Sequence, residues 1–118
     1  MINACKQINY GFVIICPNYN IGQIKSTIKS IRHNYDTDKY VCSIPNECHP
    51  DIEKEINKLS STFRGGDTIT SLINKGMTEA KCSEWNFVVI GGSWVRKELD
   101  KKYSYFINDY KDILFPIV

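Results

Sequence analysis

Apolar residues recur along this chain with two different periods. Residues 11–17 form an uninterrupted apolar run, as expected for a strand whose two faces are both covered. Apolar residues then follow at spacings of three and four, which predicts one face of a helix. That stripe consists of Ile21, Ile24, Ile28, Ile31 and Tyr35. A second strand is predicted at residues 39–45.

The remainder of the chain continues the alternation. Pro50 suits the first turn of a helix, and a short strand is predicted at residues 62–64. Asp67 or Thr68 caps the next predicted helix, and residues 85–91 read as a strand. Ser93 is expected to cap a last helix, and residues 112–118 are strand-like. The apolar stripes of these three helices are Ile52, Ile56 and Leu59; Ile69, Leu72, Ile73, Met77 and Ala80; and Val95, Leu99, Tyr103 and Phe106.

Strands that alternate with helices of this length predict an α/β fold built from right-handed βαβ units. We expect a three-layer αβα sandwich around a mainly parallel sheet, formed by residues 1–118 as a single domain. Ligands of such sheets bind beyond the carboxyl ends of the strands, where the strand order reverses. The loops to consider are therefore residues 17–20, 45–49, 64–67 and 91–94.

Composition narrows the classes of function. A net charge of +2, without a basic stripe interleaved with aromatic residues, argues against nucleic acid as a partner. No apolar stretch is long enough to span a bilayer, and no signal-peptide apolar region is found, so a cytoplasmic location is expected. The five cysteines are scattered, which is typical of reduced thiols, and their spacing predicts no metal site.

Two of the loops have alternative interpretations. Pro17 and Asn18 or Asn20 are typical of a turn and a helix cap, but Tyr19 also offers a flat ring to a base or a sugar.

The loop after the short strand is equally ambiguous. Arg64 supplies a cation, and Gly65 and Gly66 allow a backbone to approach a ligand closely, yet the same residues suit a glycine turn capped by Asp67. Within the following helix Asn74 and Gly76 are poor helix formers, which indicates close packing or a side chain that faces a ligand.

Four motifs follow one another in order between residues 12 and 94. A strand ends in P-x-Y-N before a helix, G-G precedes N-x-G-M-x-x-A, and S-E-W-x-F leads into an apolar strand. The residues of these motifs are Pro17, Tyr19, Asn20, Gly65, Gly66, Asn74, Lys75, Gly76, Met77, Ala80, Ser83, Glu84, Trp85 and Phe87. Their order resembles the nucleotide-binding half of the family 2 glycosyltransferases. Those enzymes have the GT-A fold, whose nucleotide-binding half is similar to a Rossmann fold.

The resemblance implies a site for a nucleotide-diphosphate sugar at the carboxyl ends of the strands. By this resemblance Pro17, Asn18 and Tyr19 would border the base, and Glu47 is the nearest candidate for an acid that contacts it. The resemblance would also place Arg64, Gly65, Gly66 and Asp67 at the nucleotide, and Asn74 beneath the nucleotide.

The sequence departs from the family where the family carries a D-x-D pair. Those carboxylates hold a divalent cation, Mn²⁺ or Mg²⁺, but here the corresponding residues are Ile90, Gly91, Gly92 and Ser93. The metal ligands of the family are therefore absent. The literal D-x-D at residues 36–38 precedes the second strand and is interpreted as a polar turn.

The residues at that position have two interpretations. The backbone amides of Gly91 and Gly92 and the hydroxyl of Ser93 would bind phosphate oxygens, assisted by Arg96 and Lys97. In the alternative, the glycines form a turn, Ser93 caps a helix, and the cations lie on a solvated face.

Two functions of different classes are expected from this pattern. The first is a glycosyltransferase-like domain that binds a nucleotide-diphosphate sugar and transfers the sugar to an acceptor. The second is a non-catalytic relative of the GT-A fold that serves in binding or assembly. The apolar segment at residues 112–118 is expected to be buried in the sheet or to pair with a second copy of the chain.

Overall fold

Strands and helices alternate in the computed structural model, which describes residues 10–35, 37–80 and 85–96. The predicted order of elements is confirmed over these residues. The strands are β1 (Tyr10–Ile15), β2 (Tyr40–Ile44), β3 (Ser61–Arg64) and β4 (Trp85–Ile90), and the helices are α1 (Ile21–Tyr35), α2 (Pro50–Asn57) and α3 (Ile69–Thr78). This is an α/β fold, consistent with the Rossmann-like class.

The four described strands form one sheet in the order β3-β2-β1-β4, and every pair of neighbours is parallel. The chain moves outward from β1 to β2 and β3, and then returns across the sheet to place β4 on the other side of β1. The strand order therefore reverses between β1 and β4. In a parallel sheet this point opens a crevice at the carboxyl ends of the two strands.

Alternate residues of the strands enter two separate apolar clusters. The larger cluster takes Phe12 and Ile14 from β1 and packs them against Ile24, Ile28 and Ile31 of α1. Its other buried members are Cys16, Tyr40, Cys42, Ile44, Cys48, Ile56, Phe87, Val89 and Val95. The predicted apolar face of α1 is thus confirmed.

The smaller cluster takes the intervening residues Val13 and Ile15 of β1 and packs them against Leu72 of α3. A β-carbon added to Gly76 of α3 would collide with a side-chain methyl group of Val13. Close helix–strand contact therefore explains a glycine inside this helix. Ile69, expected on the apolar stripe, is 47% exposed because it lies in the first turn of α3.

Side chains that precede each helix bind its first amides. Asn20 Oδ1 accepts a hydrogen bond from the amide of Gln23 at 3.0 Å, so Asn20 rather than Asn18 caps α1. His49 Nδ1 accepts from the amide of Asp51 and caps α2. Thr68, one of the two predicted candidates, caps α3 and forms a reciprocal capping box with Ser71.

The prediction that Ser93 begins a helix is wrong over the described residues. Residues 93–96 are not helical, and Val95 instead enters the larger apolar cluster. The continuation of that predicted helix and the strand predicted at residues 112–118 lie outside the described residues, as does the proposed self-association of that strand. Among the described helices, none combines the length and the apolar composition needed to cross a bilayer.

Candidate functional site

Because the four described strands are all parallel, the loops that follow them meet at one edge of the sheet. Backbone hydrogen bonds continue past the strand ends and fix the starts of these loops: Cys16 N–H donates to Ser43 O at 2.9 Å, Gly91 N–H donates to Ile15 O at 2.9 Å, and Gly65 N–H donates to Ile44 O at 2.8 Å. The predicted site loops are therefore neighbours in space.

The loop after β1 is a tight turn at the point where the strand order reverses. Tyr19 N–H donates to Cys16 O at 3.0 Å and closes the turn, with Pro17 and Asn18 inside it. Tyr19 has a φ of 38° in the left-handed region, which is uncommon for a residue other than glycine. Its half-buried side chain packs against the larger apolar cluster, so the backbone strain is balanced by packing.

The loop after β2 is held by the side chain of Arg64, the last residue of β3. The guanidinium donates to Asn46 O through Nη1, and through Nη2 it donates to Cys48 O at 2.9 Å and to Glu53 Oε1 at 2.8 Å. Arg64 was predicted as a cation for the nucleotide. In the structure its guanidinium joins three groups of the protein, which is the fork geometry for which arginine is suited.

Asp67 completes this connection between the loops after β2 and β3. Its Oδ1 accepts a hydrogen bond from Asn46 N–H at 3.2 Å, so both backbone groups of Asn46 are bound by the neighbouring loop. Glu47 follows directly and its side chain is exposed. A carboxylate is thus carried on a fixed stretch of backbone at the carboxyl edge of the sheet.

Each glycine of the loop after β3 has a structural cause. A β-carbon at Gly65 would collide with the buried Ser43 hydroxyl and would lie 3.3 Å from the Leu72 Cα. Gly66 has a φ of +115°, and a β-carbon there would lie 2.8 Å from Ser71 Cβ. Packing and backbone conformation therefore require these glycines whether or not a ligand approaches them.

The loop after β4 runs along α1, where residues 92–95 form what is here called the strap. The Thr27 hydroxyl accepts from Gly92 N–H and donates to Ser93 O, both at 2.8 Å.

The next turns of α1 hold the end of the strap. Ser30 Oγ accepts from Val95 N–H at 2.8 Å, and Asn34 Nδ2 donates to Val95 O at 2.7 Å. Thr27 and Ser30 are fully buried, so the strap is attached by desolvated hydrogen bonds.

These bonds engage the amides that were predicted to bind phosphate. Gly91 N–H donates to Ile15 O, Gly92 N–H to Thr27, and Ser93 N–H to Ile90 O at 2.9 Å. Phosphate binding by Gly91, Gly92 and Ser93 stays a prediction, and it would require these amides to change partners. Since Val95 is fully buried at the end of the strap, detaching the strap would also expose part of the core.

The divalent cation of the resembling family does not fit the residues after β4. Ile90, Gly91 and Gly92 offer no side-chain oxygen, and the Ile90 and Ser93 carbonyls already accept hydrogen bonds. Mn²⁺ and Mg²⁺ require several oxygen ligands. Across residues 10–35, 37–80 and 85–96, moreover, no group of three histidine, cysteine or acidic side chains is arranged to hold a metal.

Three thiols lie in the larger cluster beneath these loops, and Cys16, Cys42 and Cys48 are all free and buried. The hydrogen bond with the Cys42 side chain, together with burial, raises the pKa of the Cys16 thiol well above its usual range. Burial also raises the pKa of Cys48, and the positive charge of Arg64 partly opposes this. Cys16 and Cys48 are therefore held in the neutral form expected of small buried side chains.

The structure brings the predicted residues together in two groups. Pro17, Asn18 and Tyr19 lie with Gly91 at the ends of β1 and β4, where the Gly91 amide binds Ile15 O. The second group, at the ends of β2 and β3, contains Glu47, Arg64, Gly65, Gly66 and Asp67. Asn74 stands apart from both: its exposed side chain lies about 7.5 Å along α3 from the first residue.

Sequence interpretation missed the residues that hold the loops in place. Thr27, Ser30 and Asn34 bind the strap. The Asn46 carbonyl accepts a hydrogen bond from Arg64, and the Asn46 N–H donates one to Asp67. A signal for the first three was present, because polar residues spaced three and four apart beside an apolar helical stripe predict a buried polar contact. The sequence contained no comparable signal for Asn46.

Comparisons of the chain with protein-family models, with curated proteins and with solved structures found no match. The fold therefore defines only a broad class of protein. Over the described residues the chain is an α/β domain with a parallel four-stranded sheet.

Proposed function

We propose that this chain is a three-layer αβα domain with a GT-A-like fold that binds a nucleotide-diphosphate sugar. The two apolar clusters support the layered arrangement, because one contains side chains of α1 and α2 and the other contains side chains of α3. A cytoplasmic location belongs to the same proposal.

The observation that carries the proposal is the reversal of strand order between β1 and β4. Nucleotides bind at such a point in other parallel sheets because the loops diverge there and leave a crevice. The strained turn that bears Tyr19 lies directly at this crevice. Positive φ in a residue other than glycine is concentrated at binding sites, where it serves to position a side chain.

Within the proposal, Pro17, Asn18 and Tyr19 border the base, and Glu47 offers an acceptor for a base N–H group. Arg64 and Asp67 fix the backbone that carries Glu47, through Asn46. Gly65, Gly66 and Asn74 complete the proposed nucleotide site, and Gly91, Gly92 and Ser93 are the proposed phosphate contacts. Transfer of the sugar to an acceptor is the further step expected of a glycosyltransferase-like domain.

Isothermal titration with uridine and guanosine diphosphate sugars, each with and without Mn²⁺, tests this proposal. The decisive variant is Tyr19→Asn, which removes the ring but tolerates a positive φ, and its matched control is Tyr19→Phe, which keeps the ring. We expect binding by the wild type and the Phe variant and weakened binding by the Asn variant. Absence of binding at millimolar ligand contradicts the proposal.

The strap favours a second candidate function, a non-catalytic GT-A-like domain that binds or assembles. At the position where the resembling family holds a catalytic cation, this chain has amides bonded to α1 and carbonyls that already accept hydrogen bonds. Donor hydrolysis separates the two candidates, since a transferase slowly hydrolyses its donor. Binding without any release of sugar would establish the non-catalytic alternative.

A further inference from the structure

The two outer strands of the described sheet differ in burial. The strand β3, at one end of the strand order, has one exposed residue and three half-buried residues. Such exposure is expected of a strand that ends a sheet, because one row of its backbone groups is open to water. The strand β4 lies at the other end, yet its central residues Phe87, Val88 and Val89 are at most 2% exposed. The strand β4 is therefore buried like an inner strand.

The backbone groups of Val88 point away from the described sheet. Gly91 N–H donates to Ile15 O of β1, and backbone groups alternate in direction along a strand, so those of Val89 also face β1. Those of Val88 and Ile90 face the opposite side, here called the outer edge of β4. Among the strands formed by residues 10–35, 37–80 and 85–96, none lies at this outer edge.

The burial of Val88 requires a partner at the outer edge. Val88 is 0% exposed, so the N–H and C=O groups that it directs to this edge are shielded from water. Buried backbone groups are almost always hydrogen-bonded, because an unpaired group loses its bonds to water without replacement. A segment other than the described strands must therefore supply the partner groups.

Residues 113–118 are the part of the remaining chain best suited to this edge. They form the longest uninterrupted apolar run outside the described residues, and their isoleucine, phenylalanine and valine side chains favour strands. The fifteen residues 97–111 are enough to connect β4 to a neighbouring strand in either direction. Attachment to the same chain gives the segment a high effective concentration, which favours pairing within one chain over pairing between copies.

Pro116 restricts how this segment pairs. Proline has no N–H group, so within a sheet it is confined to an outermost strand, with its missing donor turned to solvent. The backbone groups of Leu114, two residues earlier, then also face solvent. Those of Ile113, Phe115 and Ile117 face the opposite side and are available to a neighbouring strand.

We propose that residues 112–118 of the same chain add a further strand to the outer edge of β4. The backbone groups of Ile113, Phe115 and Ile117 pair with this edge, and Val88 lies at its centre. The added strand accounts for the burial of β4, and Pro116 protects the new end of the sheet from further pairing. This strand addition is independent of the proposed nucleotide site.

Amide hydrogen exchange, measured by NMR on the intact chain, tests the proposal. We expect slow exchange at Ile113, Phe115 and Ile117, because their N–H groups donate to β4, and fast exchange at Leu114 and Val118. Fast exchange at all five residues, or slow exchange at Leu114 with fast exchange at Phe115, would overturn the proposal.

Two proline variants test the paired face by removing single donors. Phe115→Pro removes an N–H directed at β4, and exchange of Val88 N–H is expected to accelerate about tenfold or more, the effect of losing one or two hydrogen bonds. Leu114→Pro is the matched control, because it removes an N–H directed at solvent, and it should leave Val88 within about twofold of the wild type. Equal acceleration in the two variants would contradict the assigned face.

Two further measurements separate strand pairing from other effects. Val89 N–H faces β1, so slow exchange there in both variants verifies that the described sheet stays folded. Light scattering and exchange over a range of protein concentrations distinguish pairing within one chain from pairing between copies. We expect Val88 to stay protected on dilution. Loss of this protection together with dissociation of a dimer would assign the strand to a second copy and overturn the proposal.

Discussion

The loops after β3 and β4 both contain two consecutive glycines, and both were predicted to approach a nucleotide, yet the structure uses the two pairs differently. Gly65 and Gly66 are confined by Ser43, Leu72 and Ser71, and each position excludes a side chain. At Gly91 an added β-carbon would have ordinary contacts, the nearest at 3.4 Å. The first pair is required by its own packing, while the second belongs to a loop held by hydrogen bonds from α1.

This difference shows that a glycine pair at a strand end has several possible causes. Close packing, a positive φ and access for a ligand all favour glycine, and only the neighbours of each residue distinguish them. In the first loop the cause is steric. In the second it is partly conformational, because Gly92 has a φ of +107°, while the position of the strap is set by Thr27, Ser30 and Asn34.

The largest expected effect comes from filling the confined glycine. Gly65→Ala forces a β-carbon into the Ser43 hydroxyl and against α3, and we expect it to lower the free energy of unfolding by about 3 kcal/mol. Gly91→Ala is the matched control and is expected to change it by less than about 0.5 kcal/mol. Urea unfolding measures both values, and similar losses in the two variants would contradict the distinction drawn between the loops.

Removal of the Thr27 hydroxyl tests the attachment of the strap. Thr27→Val keeps the shape of the side chain but leaves Gly92 N–H and Ser93 O without their buried partner, which is expected to cost about 2 kcal/mol. Thr27→Ser keeps the hydroxyl and should recover most of this stability. Amide hydrogen exchange at Gly92 and Val95 should accelerate in the Val variant alone, and unchanged protection there would show that the strap does not depend on Thr27.

The connection between the loops after β2 and β3 depends on the forked guanidinium of Arg64. Lysine at this position can reach one of the three acceptors but cannot bridge them, so Arg64→Lys is expected to lower the free energy of unfolding by about 1.5 kcal/mol. Glu53→Gln keeps an acceptor for one of these bonds and should cost less. If the lysine variant were as stable as the wild type, the hydrogen bonds of Arg64 would not stabilise the loop after β2.

The smallest effect concerns the thiols beneath the two loops. Because the pKa values of Cys16 and Cys48 are raised in the folded protein, the unfolded chain loses these protons first as the pH rises above about 8.5. The folded state then binds more protons, and the free energy of unfolding decreases with pH, by less than about 1 kcal/mol per thiol up to pH 9. Stability measured from pH 7 to pH 9 should decline less in Cys48→Ala than in the wild type. Equal declines in the two proteins would show that Cys48 does not ionise on unfolding.

Much of the fold followed from periodicity. The run of five apolar residues from Phe12 to Cys16 and the spacing of Ile24, Ile28 and Ile31 determine a covered strand and a helix face, because alternation and the 3.6-residue turn are properties of the local backbone. Pro50 predicted the start of α2, because proline suits the first turn of a helix. The helix expected from Ser93 is not formed over residues 93–96, because hydrogen bonds with Ser30 and Asn34 of α1, distant in sequence, hold Val95 in a non-helical segment.

The sequence alone thus determined the order of the elements, the parallel sheet and the edge at which a ligand is expected. Only the tertiary structure decided what the residues at that edge contact. Arg64 and Asp67 bind Asn46, Thr27 binds the strap, and Gly65 makes room for Ser43. The physical reason is that periodicity is fixed by neighbours along the chain, whereas the partner of a polar side chain is fixed by packing between segments up to 66 residues apart.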